Sequence, residues 1–89
     1  MDIRDLKNFL IIAEEGNITA AAKRLHMAQP PLSRQIKQLE EELGVQLFER
    51  GKRRVTLTEA GLLLRSRAEQ IVDLLNTTTK ELQDFDTGI

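Results

Sequence analysis

The chain has no cysteine, no tryptophan and no tyrosine, and it has a single histidine. Without cysteine, neither a disulfide framework nor a thiolate metal site can form. A mononuclear metal site would have to be built from carboxylates. The longest apolar run, residues 9–13, is far shorter than the roughly 20 residues that cross a bilayer, and no basic leader precedes a long apolar segment. We therefore expect one small cytoplasmic domain.

The residues for hydrolytic chemistry are also lacking. Such chemistry needs a nucleophile beside a base, or two convergent carboxylates beside a pocket, and the sequence pattern offers neither. We expect no enzyme, and no cofactor bound by this segment.

The net charge of −1 hides an uneven distribution. Residues 23–54 carry eight basic residues and four glutamates, a net charge of +4, whereas residues 1–22 carry −2 and residues 55–89 carry −3. A basic middle between acidic ends is the kind of surface that faces phosphate. The alternative is an ordinary solvated cluster of charges.

Apolar residues at spacings of three and four predict two amphipathic helices in the first half of the chain. Gly16 and Gly44 follow these helices in the position where glycine commonly ends a helix. The two apolar stripes are Ile3, Leu6, Phe9, Leu10 and Ala13 in the first, and Leu32, Ile36, Leu39 and Leu43 in the second.

A shorter helix is predicted between them. Asn17 or Thr19 can cap it, it runs to about Leu25, and residues 26–28 break the pattern. A short helix, a break and an amphipathic helix make a helix-turn-helix over about residues 18–37, which taken alone is common in helical proteins.

After the third helix, the spacing of apolar residues is no longer helical. Residues 47–50 and 55–58 have strand-like composition and flank Gly51-Lys52-Arg53-Arg54, which predicts a small β-hairpin with a basic tip. Thr58 is a good N-cap for a last helix, with Glu59 in its first turn.

The last helix carries a heptad seam. A helix from Glu59 to about Asp84 would be roughly 40 Å long, which is more than a body of residues 1–58 can cover. We expect the seam to pair with a second copy; the alternative is that the helix folds back along the first helix. The seam consists of Leu64, Ala68, Ile71, Leu75, Thr78, Leu82 and Phe85.

The charges along the third helix run against its dipole. Its start carries Arg34 and Lys37 and its end carries glutamates at 40–42, whereas the dipole favours the reverse by about 0.3–1 kcal/mol per exposed group. This arrangement predicts that the start of the helix meets a polyanion. The alternative is that the glutamates are only a solvated face.

The run AAAKRLHMAQPPLSRQIKQLEEELGVQLFERGKRRVTLTEAG resembles the N-terminal winged helix-turn-helix of LysR-type transcriptional regulators. The resemblance covers essentially all 89 residues without a gap. The matching positions are Ala21, Ala22, Leu25, Gln29, Pro30, Leu32, Ser33, Leu39, Glu40, Leu43, Gly44, Leu47, Phe48, Arg50, Thr58 and Gly61.

The resemblance implies a mainly α fold: a winged helix-turn-helix over residues 1–58 with its wing at about 47–57, a linker helix for dimerisation over 59–86, and the start of a hinge at 87–89. It also implies sequence-specific binding of double-stranded promoter DNA at interrupted inverted repeats. The bacterial regulator would be a homodimer, a tetramer when full-length, and would respond to a small-molecule co-inducer held by an effector domain outside this sequence.

The expected DNA contacts follow from side-chain chemistry and the resemblance together. Arg34 suits bidentate contact with guanine, and Gln29 suits adenine or a phosphate equally. The expected contacts are Gln29, Pro30, Pro31, Ser33, Arg34, Lys37, Lys52, Arg53, Arg54, Thr19 and Lys23. The expected dimer contacts are Leu64, Ala68, Ile71, Leu75, Thr78 and Leu82.

One position departs from the family. Ala28 stands where members commonly carry serine or threonine, so a capping hydroxyl worth about 1 kcal/mol is missing. Pro30 and Pro31 follow in the first turn, where backbone N–H groups have no intrahelical partner and proline costs little.

A rival to DNA binding is an interaction module, dimerised by the heptad helix, whose basic face binds an acidic protein.

Overall fold

The computed structural model describes residues 1–51 and 53–85, which contain helices α1 (Ile3–Glu15), α2 (Ile18–Arg24), α3 (Gln29–Leu43) and α4 (Glu59–Phe85). Helix α1 packs against each of the other three, and α2 also packs against α3. This confirms the predicted mainly helical fold. Lys52 and residues 86–89 lie outside the described residues, and none of the described helices has the length and apolarity to cross a bilayer.

Helix α1 is the centre of the body, and local chemistry defines both its ends. The Asp2 side chain accepts the N–H of Asp5 at 2.9 Å, and the Asp5 side chain accepts the N–H of Asp2, which forms a capping box. Gly16 ends the helix in the left-handed region, at φ 68°, as predicted. Ile12 is fully buried although the predicted stripe omitted it, because a helix with three neighbours is covered over a wider arc than one stripe.

The core lies where α1, α2 and α3 meet the segment after α3. The rings of Phe9 and Phe48 pack with centroids 5.3 Å apart. Leu43 was expected on the buried stripe of α3 but is 37% exposed. It is the last residue of the helix, and the end of α3 and the loop after it, residues 41–46, are exposed throughout. The buried cluster comprises Phe9, Ile12, Ala21, Ala22, Leu32, Ile36, Leu39, Leu47 and Phe48.

The two arms of the predicted wing pair less than expected in the described residues. They meet in one antiparallel bridge between Phe48 and Leu57, supported by a hydrogen bond of 2.8 Å from Glu49 N to Thr56 O. The two predicted strands are therefore reduced to an isolated bridge in the described residues. A short arm with one bridge relies on side-chain anchors for its position.

Glu40 supplies such an anchor. Its carboxylate is buried near the end of α3 and accepts the backbone N–H groups of Leu47 at 2.7 Å and Phe48 at 3.3 Å. It also accepts a hydrogen bond from the guanidinium of Arg50. Arg50 is therefore paired with a glutamate near the end of α3. The interpretation of the glutamates as a solvated face is wrong for Glu40.

The start of α4 is fixed to the same segment. The Thr58 hydroxyl accepts the N–H of Gly61 at 3.0 Å and donates to the carbonyl of Gln46 at 2.6 Å, so the predicted N-cap is confirmed. A Cβ on Gly61 would lie only 2.1 Å from the carbonyl oxygen of Leu47. Glycine is needed at this position because helix and loop backbone approach each other so closely.

The heptad seam of α4 divides into two parts. Ala68 is fully buried within its own chain and Leu64 packs against the core. The expectation that Ala68 forms a dimer contact is wrong, and Leu64 offers only part of its surface, because α4 begins by packing along α1. Further along, Ile71, Leu75 and Leu82 are 43%, 40% and 64% exposed.

We predict that Glu40→Gln lowers the free energy of unfolding by about 1–3 kcal/mol, since the neutral amide weakens hydrogen bonds that a buried carboxylate makes to two N–H groups and a guanidinium. Urea denaturation followed by circular dichroism measures the change. Glu41→Gln is the matched control, because Glu41 is exposed on the same helix and should change stability by less than about 0.5 kcal/mol. Equal effects of the two substitutions would contradict the role of Glu40.

Candidate nucleic-acid interface

The turn between α2 and α3 has a defined closing geometry. The N–H of Met27 reaches the carbonyl of Ala22 at 2.9 Å, and the N–H of His26 reaches that of Lys23 at 3.1 Å. These are the two bonds of a Schellman motif, and His26 occupies its left-handed position at φ 56°. His26 is therefore an interhelix turn residue, and Met27 packs against the core.

The outward face of α3 carries the predicted contact residues. Leu32, Ile36 and Leu39 are buried on the inner side of the helix. The predicted contact residues of α3 lie outside this buried stripe. Gln29, Pro30, Arg34 and Lys37 are exposed, while Pro31 and Ser33 are partly exposed.

The first turn of α3 lacks a side-chain cap. Ala28 is the N-cap residue, with extended dihedrals and no capping hydrogen bond, and the prolines lie in the first turn. The Nε2 of Gln29 donates to the Oγ of Ser33 one turn later. Two of the predicted contact residues therefore hold each other in place.

Helix α2 presents two further predicted contacts, Thr19 and Lys23, both exposed. Of the two candidate caps for this helix, Asn17 is the one used, because its Oδ1 accepts the N–H of Ala20 at 2.9 Å. Thr19 lies within the first turn of the helix, so its hydroxyl is not engaged as the cap.

The wing tip carries two described basic side chains beside the helix-turn-helix. Arg53 and Arg54 are exposed. The guanidinium of Arg54 lies over Gly16, where an added Cβ would be 3.2 Å from it. A backbone hydrogen bond of 3.0 Å from Val55 N to Gly16 O ties the base of the wing to the turn between α1 and α2.

A crevice of about 300 Å³ separates α3 from the wing. Ser33 and Lys37 line it from α3, and Arg50 and Gly51 line it from the wing. The Ser33 hydroxyl and the Lys37 ammonium are groups that bind phosphate oxygens, whereas the Glu49 carboxylate also lines the crevice and Arg50 is paired with Glu40.

Two arginines of the basic stretch, residues 23–54, are already engaged in ion pairs. The guanidinium of Arg24 pairs with Glu15 at 3.0 Å and Glu14 at 3.2 Å, and these carboxylates raise the pKa of Arg24 above its usual value. Arg50 pairs with Glu40. The basic surface that faces outward is therefore carried chiefly by α3 and the wing tip.

Sequence reasoning missed a partly buried polar network between α1 and α3. Asn8 is buried on α1, and its Nδ2 donates to the Oε1 of Gln35 on α3 at 2.6 Å. The Nε2 of Gln35 in turn donates to Asp5 at 2.9 Å. The one signal in the sequence was the Asp-x-x-Asp pattern of residues 2–5, which is a capping pattern and does not point to α3.

The family is identified by sequence. The profile of the bacterial regulatory helix-turn-helix proteins of the lysR family matches residues 3–62. The HTH-type transcriptional regulator BsdA of Bacillus subtilis (strain 168) is 54% identical over 86 residues, which is 96% of this chain and 30% of BsdA. ClcR of Pseudomonas putida is 53% identical over 72 residues, 81% of this chain and 24% of ClcR. The chain thus spans less than a third of the length of these curated relatives.

Solved structures agree with the sequence comparison. The crystal structure of a CbnR_DBD-DNA complex superposes with a TM-score of 0.89 at 44% identity, covering 94% of this chain and 97% of that one. A BenM_DBD/catB site 1 DNA complex gives a TM-score of 0.96 at 41% identity, covering 99% and 95%. The fold, the helix-turn-helix and these matches together show that the chain belongs to the LysR family of bacterial regulatory helix-turn-helix proteins.

Proposed function

We propose that this chain is the DNA-binding part of a bacterial transcriptional regulator and acts by sequence-specific binding of double-stranded DNA. The observation that carries the proposal is the outward face of α3, where polar and basic side chains lie opposite a fully buried stripe. Helix α3 is then the recognition helix, which enters the major groove as in other helix-turn-helix proteins. Relatives whose structures contain DNA share the fold over nearly the whole chain.

The residues divide by chemistry. Arg34 reads guanine through its planar guanidinium, and Gln29 meets a base or a phosphate beside it. Ser33, Lys37 and the exposed arginines of the wing position the protein on phosphates. The Ser33 hydroxyl and the Lys37 ammonium at the crevice between α3 and the wing support a phosphate contact at this place.

The proposed organisation is a DNA-binding unit over residues 1–58 and a linker helix from 59. The rest of a longer regulator would hold the co-inducer, and the protein would work in the cytoplasm by binding rather than catalysis. The family supports this role over the rival adaptor that binds an acidic protein, since the relatives are transcriptional regulators.

The exposed part of the α4 seam supports a dimer. Ile71, Leu74 and Leu75 lie close together on the helix and are all exposed. Charges suggest an antiparallel pairing, because Arg67 near the start would meet Glu81 near the end of the other copy and the two helix dipoles would be opposed. Such a dimer presents two recognition helices to one inverted repeat. A tetramer of the full-length protein stays a prediction.

Arg34→Ala is expected to weaken binding to the preferred duplex by about 1–3 kcal/mol and to relax selectivity at one position per half-site. Competition binding with duplexes that vary each position measures both effects. Arg4→Ala serves as the control, since Arg4 is exposed on α1. An equal loss of affinity for every sequence would reduce Arg34 to a phosphate contact.

Arg53→Ala is expected to leave selectivity intact and to reduce the slope of log K against log salt by about 0.9, because one phosphate contact is lost. Fluorescence anisotropy over a salt series gives the slope, with Arg4→Ala again as the reference. A slope that does not change would remove Arg53 from the DNA contacts.

Leu75→Asp is expected to convert dimers to monomers, since it places a charge in the apolar seam. Sedimentation at matched concentrations measures the change. Asn76→Asp adds the same charge one residue further on, about 100° around the helix, and should leave the dimer in place. Dimers that persist in Leu75→Asp would rule out this seam as the interface.

A further inference from the structure

The recognition helix is joined to α1 by directional bonds as well as by apolar packing. Gln35 lies between the buried stripe and the outward face of α3, immediately after Arg34. Its amide makes one bond in each direction: Oε1 accepts from Asn8 at 2.6 Å, and Nε2 donates to Asp5 Oδ1 at 2.9 Å. Both partners lie on α1, one turn apart.

The two partners are themselves held in place. Asp5 shares the capping box with Asp2, whose N–H donates to its other carboxylate oxygen at 3.1 Å. Asn8 is only 4% exposed, so its amide has little access to water. Within residues 1–51 and 53–85, no buried side-chain nitrogen or oxygen is left without a partner. The network is therefore complete.

Apolar packing defines the rotation of α3 less sharply than hydrogen bonds do. Contacts among Leu32, Ile36 and the core are non-directional, and they tolerate small rotations and slides of a helix. Hydrogen bonds depend steeply on distance and angle. Since binding groups need to be held within about 0.5 Å and 10–20° of their working geometry, the bonds of Gln35 restrict the motion that matters for Arg34.

We infer that Gln35 is a positioning residue for sequence selectivity: through Asp5 and Asn8 it fixes the rotation of the recognition helix, without touching DNA itself. This inference rests on the proposed DNA binding. It differs from a base contact, because a rotation of the whole helix disturbs several base positions at once. It differs from a purely stabilising role, because selectivity changes in protein that is fully folded.

The test compares the 89-residue wild-type chain with Gln35→Met, which keeps the side-chain length and removes both hydrogen bonds. The probe is the duplex that the wild-type chain enriches from a random pool, measured against the unselected pool. We expect Gln35→Met to lower the ratio of the two affinities by about tenfold, comparable to one lost base contact, with the loss spread over several positions. Gln46→Met, in the exposed loop after α3, makes the same exchange away from the outward face of the helix and should keep the ratio.

A rescue experiment exchanges the carboxylate of Asp5 and the amide of Gln35 between the two positions. In Gln35→Glu the introduced carboxylate faces that of Asp5, and the affinity ratio should fall. In the double variant Asp5→Asn with Gln35→Glu, the amide introduced on α1 donates to the carboxylate introduced on α3. The oxygen of that amide still accepts from Asp2, and Asn8 donates as before, so the ratio should recover. Comparing Gln35→Glu with the double variant also tests the inference if Gln35→Met does not fold.

Three results would overturn the inference. The first is folded Gln35→Met with an unchanged ratio, and the second is a folded double variant with no recovery over Gln35→Glu. In both cases a selective wild-type chain leaves the proposed function standing. The third is a wild-type chain that enriches no duplex, which overturns the proposed function and this inference with it.

Discussion

The buried carboxylate of Glu40 is the interaction on which the arrangement of the surface depends. It accepts the N–H of Leu47 from the end of the recognition helix, and the carbonyl of Leu47 in turn accepts the N–H of Thr58 at 3.0 Å. Thr58 caps α4, and Gly61 packs against that same carbonyl. The recognition helix, the wing and the linker helix are thus joined at Leu47, so the spacing between α3 and the wing is set by buried bonds. This explains how a wing with a single bridge holds its place.

Helix α1 provides the second constraint, because it contacts every other helix. Phe9 and Ile12 supply the centre of the core, and Asp5 and Asn8 hold Gln35. Its own packing against α4 also explains why the seam splits into a covered and an exposed part. The same helix therefore connects the orientation of the DNA-reading face to the helix proposed to join two copies.

Local chemistry made the helix boundaries predictable from sequence. Gly16, Gly44 and Thr58 act at the ends where they were expected, because a cap depends on residues that are close in the chain. The buried role of Glu40 was not predictable, since its partners at 47 and 48 are brought to it only by the fold. The heptad pattern failed at Ala68 for a related reason: periodicity shows that a face is apolar, but not whether its own chain or a second copy covers it.

The start of the recognition helix shows how local stability and exposure are balanced. His26 adopts a left-handed backbone, which costs a non-glycine residue about 1–2 kcal/mol, and Ala28 supplies no cap. The helix is held instead by its buried stripe, by Gln35 and by Glu40, all on sides that face the protein. Its first turn, with Pro30 and Pro31 lacking N–H groups, needs few partners of its own. Tertiary anchoring therefore holds the helix in place while the side chains of its exposed end stay available to a ligand.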